Sequence, residues 1–201
     1  MLKRFQPRGF TLVELLVGLS IVAVIIGLGV PSLATFLQST KLASAAKSYL
    51  SGVQVARTEA IRRNLQVEFM LTNSPVTAGV ENAAVPNPNW QNWLVRWFDP
   101  AASAFALIEA RESREGSAST LGATSIQVAG TGAPGAFTGS VIFDGFGRTA
   151  TQDEFTLDLQ NPAGGACAPA GPMRCPRIRI PPGGRIALCD PLAAAGDSRA
   201  C

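Results

Sequence analysis

The chain predicts an α+β fold in which one long N-terminal helix precedes a region of short antiparallel strands. Three observations carry that prediction. From Leu15 to Leu37 no residue is charged, and at ~1.5 Å per residue such a run exceeds the ~30 Å of a hydrocarbon core. From Leu42 onward apolar residues recur every three or four positions, at Leu42, Ala45, Ala46, Tyr49, Val53, Ala56 and Ala60, with Lys41, Lys47, Arg57 and Arg63 between them. After Asn64 the helical period disappears. Short β-branched and aromatic runs replace it, punctuated by Gly, Pro, Asn and Asp.

The helix is expected from Phe10 to about Asn64, uniformly apolar at first and one-sided beyond. Pro31 falls inside it and should kink it or loosen a turn, because proline has no N–H to donate. Strands are expected at Leu65–Leu71, Trp93–Phe98, Phe105–Ala110, Thr124–Ala129, Ser140–Asp144, Phe155–Leu159, Arg177–Ile180 and Arg185–Leu188. The last two should form a hairpin around Pro181–Gly184. Residues 74–92 lack a clear period and read as a long loop. Arg111–Gly116 and Gly145–Arg148 read as turns, Gly130–Gly139 as a flexible link, and 161–173 as a loop.

Charge is unevenly distributed. The formal excess of +3 is supplied by Lys3, Arg4 and Arg8, all ahead of Gly9. The remaining sequence is balanced overall, with an acidic middle between a basic helix and a basic tail. The 201 residues suit one domain plus an anchor.

Four cysteines, Cys167, Cys175, Cys189 and Cys201, cluster in the tail. An even count in a segment facing an oxidising compartment reads as two disulfides. Three connectivities are open, and neighbour pairing is favoured because it closes the shorter loops. No histidine and no Cys-x-x-Cys occur, which argues against a metal site and against Ser-His-Asp or Cys-His catalysis. The carboxylates of the charged turns, such as Glu112 and Glu115 or Asp153 and Glu154, are ordinary surface neighbours. No enzyme and no cofactor are expected.

The junction of leader and helix is the most specific feature. A short basic stretch ends in Gly9, and Phe10-Thr11-Leu12-Val13-Glu14 opens the apolar run with a single carboxylate. An ionisable group at the edge of an apolar span is costly and usually has a partner. This arrangement resembles the class III signal of type IV prepilins and secretion pseudopilins. At the other end of the helix, Ala56-Arg57-Thr58-Glu59-Ala60-Ile61-Arg62-Arg63-Asn64 resembles the signature of the GspH/FimT group. Val141–Asp144 with Gly145-Phe146-Gly147 is similar to the group's central strand and turn, and Arg177–Ile180 with Gly183–Ile186 to its closing hairpin.

The resemblance implies a minor pilin whose helix packs on a β-sandwich-like globular domain. Residues 1–9 would be a leader removed by a prepilin peptidase, 10–37 a membrane and filament-core helix, 38–64 an amphipathic helix, and 65–201 the globular domain. Cleavage would come after Gly9, and the freed Phe10 would be N-methylated. Glu14 would neutralise the terminal amine of a neighbouring subunit and so set axial register, while Gly18, Ser20, Gly27 and Gly29 would allow helices to approach closely. The partners implied are other major and minor pilins and an inner-membrane assembly platform. The location implied is the bacterial inner membrane as a single pass, with the domain in the periplasm, and then the pilus filament or its tip. A type II secretion pseudopilin is the alternative setting.

Extracellular DNA is a further implied partner. Arg177 and Arg179 are two apart, so on a strand they share a side, and Arg185 lies on the adjoining strand. Such a strip can contact backbone phosphates. The group's DNA receptors carry Gly-Arg-x-Arg there, whereas this chain has Gly184-Arg185-Ile186-Ala187, with alanine at the second arginine position. The plainer readings are an arginine strip paired with the acidic middle of the domain, and helix-end arginines that cap α-helical carbonyls.

Overall fold

The computed structural model describes residues 11–87, 92–112, 122–129, 138–160 and 165–201; the side chains of 28–32, 34, 35 and 122–129 lie outside this description. The leader, Gly9 and Phe10 also lie outside it, as do most of the expected turn Arg111–Gly116, most of the link Gly130–Gly139 and part of the loop 161–173. The chain divides into two compact units, Met1–Leu37 and Gln38–Cys201.

Helix α1 runs Leu12–Arg63 and is continuous through position 31. In the first unit its described large apolar side chains, Leu12 to Ile26, are each more than half exposed. Among the described residues no helix is long and apolar enough to cross a membrane. The expected span Leu15–Leu37 therefore finds no support as a membrane-crossing helix. Much of its second half falls on residues whose side chains lie outside the description.

In the second unit the same helix becomes one-sided. Leu42, Ala46, Tyr49, Val53, Ala56 and Ala60 are buried, at the spacing that puts them on one face. Close approach is built in at Gly52, where a Cβ would stand 2.8 Å from the Trp93 ring. The helix ends in a Schellman motif: Asn64 adopts φ 54°, its N–H donates to Ile61 O (3.3 Å), and Leu65 N–H donates to Ala60 O (3.3 Å). That motif uses up Asn64 and Leu65, so the first strand starts later than expected.

Among the described residues eight strands come after the helix: β1 Val67–Thr72, β2 Asn92–Asp99, β3 Ala104–Arg111, β4 Gly122–Ala129, β5 Ser140–Phe143, β6 Glu154–Gln160, β7 Arg177–Ile180 and β8 Ala187–Cys189. They form two antiparallel sheets, ordered β3-β2-β1-β5 and β4-β6-β7-β8. Alternation decides which side chains go inward. Phe69, Leu71, Trp93 and Val95 from the first sheet join Phe155, Leu157, Leu159, Ile178 and Ile180 from the second in one core with the helix residues. The fold is the expected α+β arrangement.

The region 74–92 departs from the expected loop. A single turn of helix, α2 (Val80–Ala83), packs on the outer face of the first sheet, where Val80 and Ala84 meet Met70 and Leu94. A buried arginine holds it there. Arg96 donates from Nε to Glu68 Oε2 (2.8 Å) and from Nη1 to Glu81 O (2.6 Å), with its guanidinium 4.0 Å from the Phe105 ring centre. Asn82 meets the outer edge of β3: its Oδ1 accepts from Phe105 N–H (2.8 Å) and its Nδ2 donates to Phe105 O (3.2 Å).

β8 also starts later than expected. Arg179 pairs with Ala187, which leaves Arg185 and Ile186 in the connection and off the strand. Two disulfides, Cys167–Cys175 and Cys189–Cys201, close the tail, and Asp190 N–H donates to Arg199 O at 2.7 Å.

Candidate assembly helix and arginine-bearing hairpin

Two places hold the site residues expected from sequence. The first is the start of α1. Thr11 is the N-cap and Glu14 the third helical residue, and they form a reciprocal capping box. Glu14 Oε2 accepts from Thr11 N–H (2.9 Å) and from Thr11 Oγ1 (2.8 Å), while Glu14 N–H donates to Thr11 Oγ1 (3.2 Å). In the single chain, then, Glu14 has a local use: it satisfies donors at a helix N-terminus, where a carboxylate is also favoured by the dipole. The sequence segment Thr11-Leu12-Val13-Glu14 fits this motif.

The second place is β7 with its connection to β8. Arg177 and Arg179 do share a side, alternating with the buried Ile178 and Ile180. Both face carboxylates of β6. Arg177 forms a two-point pair with Asp158, directly opposite in the ladder, its Nη2 donating to Oδ2 at 2.9 Å. This pair holds the Arg177 guanidinium protonated more firmly than usual: Asp158's hydrogen bond outweighs partial burial. Arg179 donates from Nε to Glu154 Oε1 (2.7 Å) and from Nη1 to Cys201 O (2.7 Å). Arg185 is exposed and has no acidic partner among the described residues. The three arginines are therefore not one strip. Two are neutralised by the neighbouring strand β6, and the third stands apart on the connection.

The other motif residues meet at a junction. Arg57 of α1 donates from Nε to Gly147 O (3.0 Å), ninety positions along the chain. Gly184, at φ 74°, presses against the same carbonyl so closely that a Cβ would fall 1.8 Å from it. Thr149 N–H donates to Pro182 O (3.1 Å). Helix end, β5 turn and hairpin connection thus lock together. The turn itself is fixed by Asp144, whose Oδ1 accepts from Phe146 N–H and Arg148 N–H, both at 2.9 Å. For Asp144 desolvation pushes the pKa up, but these amide bonds and the Arg148 charge outweigh it and hold the carboxyl below its ordinary range. At the tip Phe146 is 76% exposed, with the Arg148 guanidinium 5.1 Å from its ring centre. Sequence reasoning marked these segments as motifs but did not single out Phe146 or the Arg57 contact. The only sequence signal was that an aromatic lies between two glycines.

Among the described residues no group of Asp, Glu or Cys is placed to hold a metal ion.

A model of the prokaryotic N-terminal methylation motif matches residues 4–30. A second model, described as type II transport protein GspH, matches residues 45–184. A search of the curated proteins finds no match. Among solved structures, the type IV minor pilin FimU of Pseudomonas aeruginosa PAO1 is similar at 16% identity, covering 79% of this chain and 98% of that one with a TM-score of 0.46. The minor pseudopilin EpsH from the Type 2 Secretion System of Vibrio cholerae is similar at 12% identity, covering 76% and 99% with a TM-score of 0.43. With the GspH model spanning well over half of its length and the methylation motif at its start, the chain belongs to the GspH family, the GspH/FimT group of minor pilins and pseudopilins.

Proposed function

We propose that the chain is a minor pilin that is cut after Gly9, methylated on Phe10, and built into a type IV pilus or used to prime one. The observation that carries this reading is the exposed apolar surface from Leu12 to Ile26 on a helix already capped at its start. Apolar surface of that extent is unfavourable in water and calls for lipid or protein around it. Before assembly the inner membrane and its assembly platform would shield it; afterwards the like helices of other pilins would. A prepilin peptidase is the processing partner this requires.

Glu14 then has two roles in sequence. In the lone chain it caps its own helix through Thr11. In the filament the terminal ammonium of a neighbour's Phe10 takes its charge and fixes register.

Two substitutions separate these roles, because glutamine can serve in a capping box but carries no charge. Expressed in a piliated host, Glu14→Gln should be processed at Gly9 like the parent, as read by mass spectrometry. It should nevertheless be lost from the sheared filament fraction together with Glu14→Ala. Normal incorporation of Glu14→Gln would leave capping as the whole role.

The description of the family model that matches residues 45–184 favours a second setting, a type II secretion pseudopilus. A deletion that stops protein secretion but leaves pilus-dependent motility intact would select that setting.

A further inference from the structure

We infer that the junction presenting Phe146, with Arg57 and Arg185 beside it, is a docking spot for an acidic segment of a neighbouring subunit in the same filament. The inference rests on the assembly reading above and adds to it a face of the globular domain and the chemistry that face accepts.

Charge is the first argument. Among the described residues every other arginine has a carboxylate partner: Arg62 and Arg63 on Glu59, Arg96 on Glu68, Arg111 on Glu109, Arg148 on Asp144, Arg174 on Asp190, Arg177 on Asp158, Arg179 on Glu154 and Arg199 on Asp197. Arg57 and Arg185 have none. They belong to one place, because Arg57 Nε lies 2.9 Å from where a Gly184 Cβ would be, one residue before Arg185. Lys41 and Lys47 also lack acidic partners, but Lys47 is ten helical residues before Arg57, about 15 Å away along the axis.

Rigidity and apolar surface are the second argument. Phe146 is the most exposed large apolar side chain among the described residues. It is not on a loose loop. The Asp144 carboxylate holds the backbone on both sides of it, Asp144 N–H donates to Arg148 O (2.8 Å), and Gly147 packs against Ile61, itself 48% exposed. An aromatic held in place loses little entropy on binding, and aromatic and arginine side chains dominate binding energy at interfaces.

The form of the spot favours a protein segment over a nucleic acid. A nucleic-acid strand is bound through many phosphates by a row of cations. Here two arginines without carboxylate partners meet the Gly147–Gly184 contact next to one exposed aromatic, and Arg177 and Arg179, which could have extended a row, are spent on β6. One apolar anchor with one or two carboxylates is what such a spot can satisfy.

The test places the photo-crosslinker p-benzoylphenylalanine at position 146 in the full chain in its piliated host, with position 98 as the control, since Phe98 is also 50% exposed. Adducts are mapped by mass spectrometry after filaments are sheared. The expected product joins position 146 to a carboxylate-bearing peptide of another filament subunit. It should be lost in Arg185→Glu and restored when an acidic residue of the mapped peptide is changed to lysine. An adduct on a segment without carboxylates, one indifferent to Arg185→Glu, a nuclease-sensitive adduct, or none above the position-98 level would each overturn the inference. Recovery of the chain in the sheared fraction is scored separately. If the parent chain is absent there, the assembly reading itself fails; if it is present without the adduct, only this docking spot does.

Discussion

At the scale of single residues the junction is most sensitive at Gly184. Its φ of 74° is one that side chains with a Cβ adopt at a cost, and that Cβ would overlap the Gly147 carbonyl. Gly184→Ala should therefore destabilise the domain by about 3–5 kcal/mol in urea unfolding. Gly183→Ala is its control: nothing lies within 4 Å of that Cβ, so a change within ~0.5 kcal/mol is expected. Asp144 makes a pH prediction. Its folded pKa is depressed, so its contribution to the turn is fully present above the unfolded carboxylate range near ~4 and is lost as pH falls through the folded value. In NMR titrations the Phe146 and Arg148 amides should shift together below pH ~4, and Asp144→Asn should remove that titration. None of this was legible in the sequence beyond the turn itself. Arg57 reads there as one more charge on a wet helix face, because its carbonyl partner is reached only through the tertiary fold.

Among the elements, legibility tracked period. The clean alternation of Phe155–Leu159 marks β6, and Arg177–Ile180 coincides with β7. The three- and four-residue spacing of Leu42 to Ala60 marks the buried face of α1. The failures have physical causes. One turn of helix at Val80–Ala83 is too short to show a period, and it is held by Arg96 and Glu68 from distant strands. The start of β8 is displaced because the register opposite Arg179 selects Ala187. The cross-strand pairing of Arg177 and Arg179 depends on which strand lies beside β7, and the sequence left that open. It also gives a prediction for these two residues. In Arg177→Ala with Arg179→Ala, stability should fall by about 1 kcal/mol or less per pair, since both pairs are partly exposed. Affinity for duplex DNA, titrated at several salt concentrations, should be the same as the parent's. A salt-dependent affinity lost in the double variant would instead make the arginines a phosphate-binding strip.

The whole domain closes on its tail. The Cys189–Cys201 bridge, the Asp190–Arg199 backbone bond and the Arg179 contact to Cys201 O fasten it to the second sheet. Loops this short should each contribute about 2–3 kcal/mol when bridged. Replacing Cys189 and Cys201 by alanine should thus lower the melting temperature by roughly 5–10 °C by calorimetry. The effect should be matched in size by the Cys167 and Cys175 pair. The even cysteine count made two bridges legible, and the neighbour pairing favoured for its shorter loops is the one the fold adopts.

Asn82 has one further consequence at this scale. Subunits concentrated side by side in a fibre expose their sheet margins to one another, and a bare strand margin invites uncontrolled zippering into β-aggregates. By occupying both polar groups of Phe105, the Asn82 amide stands in for a strand that must not arrive. In the filament proposed above, that one covered position of the β3 margin would oppose such zippering while the helix joins the polymer.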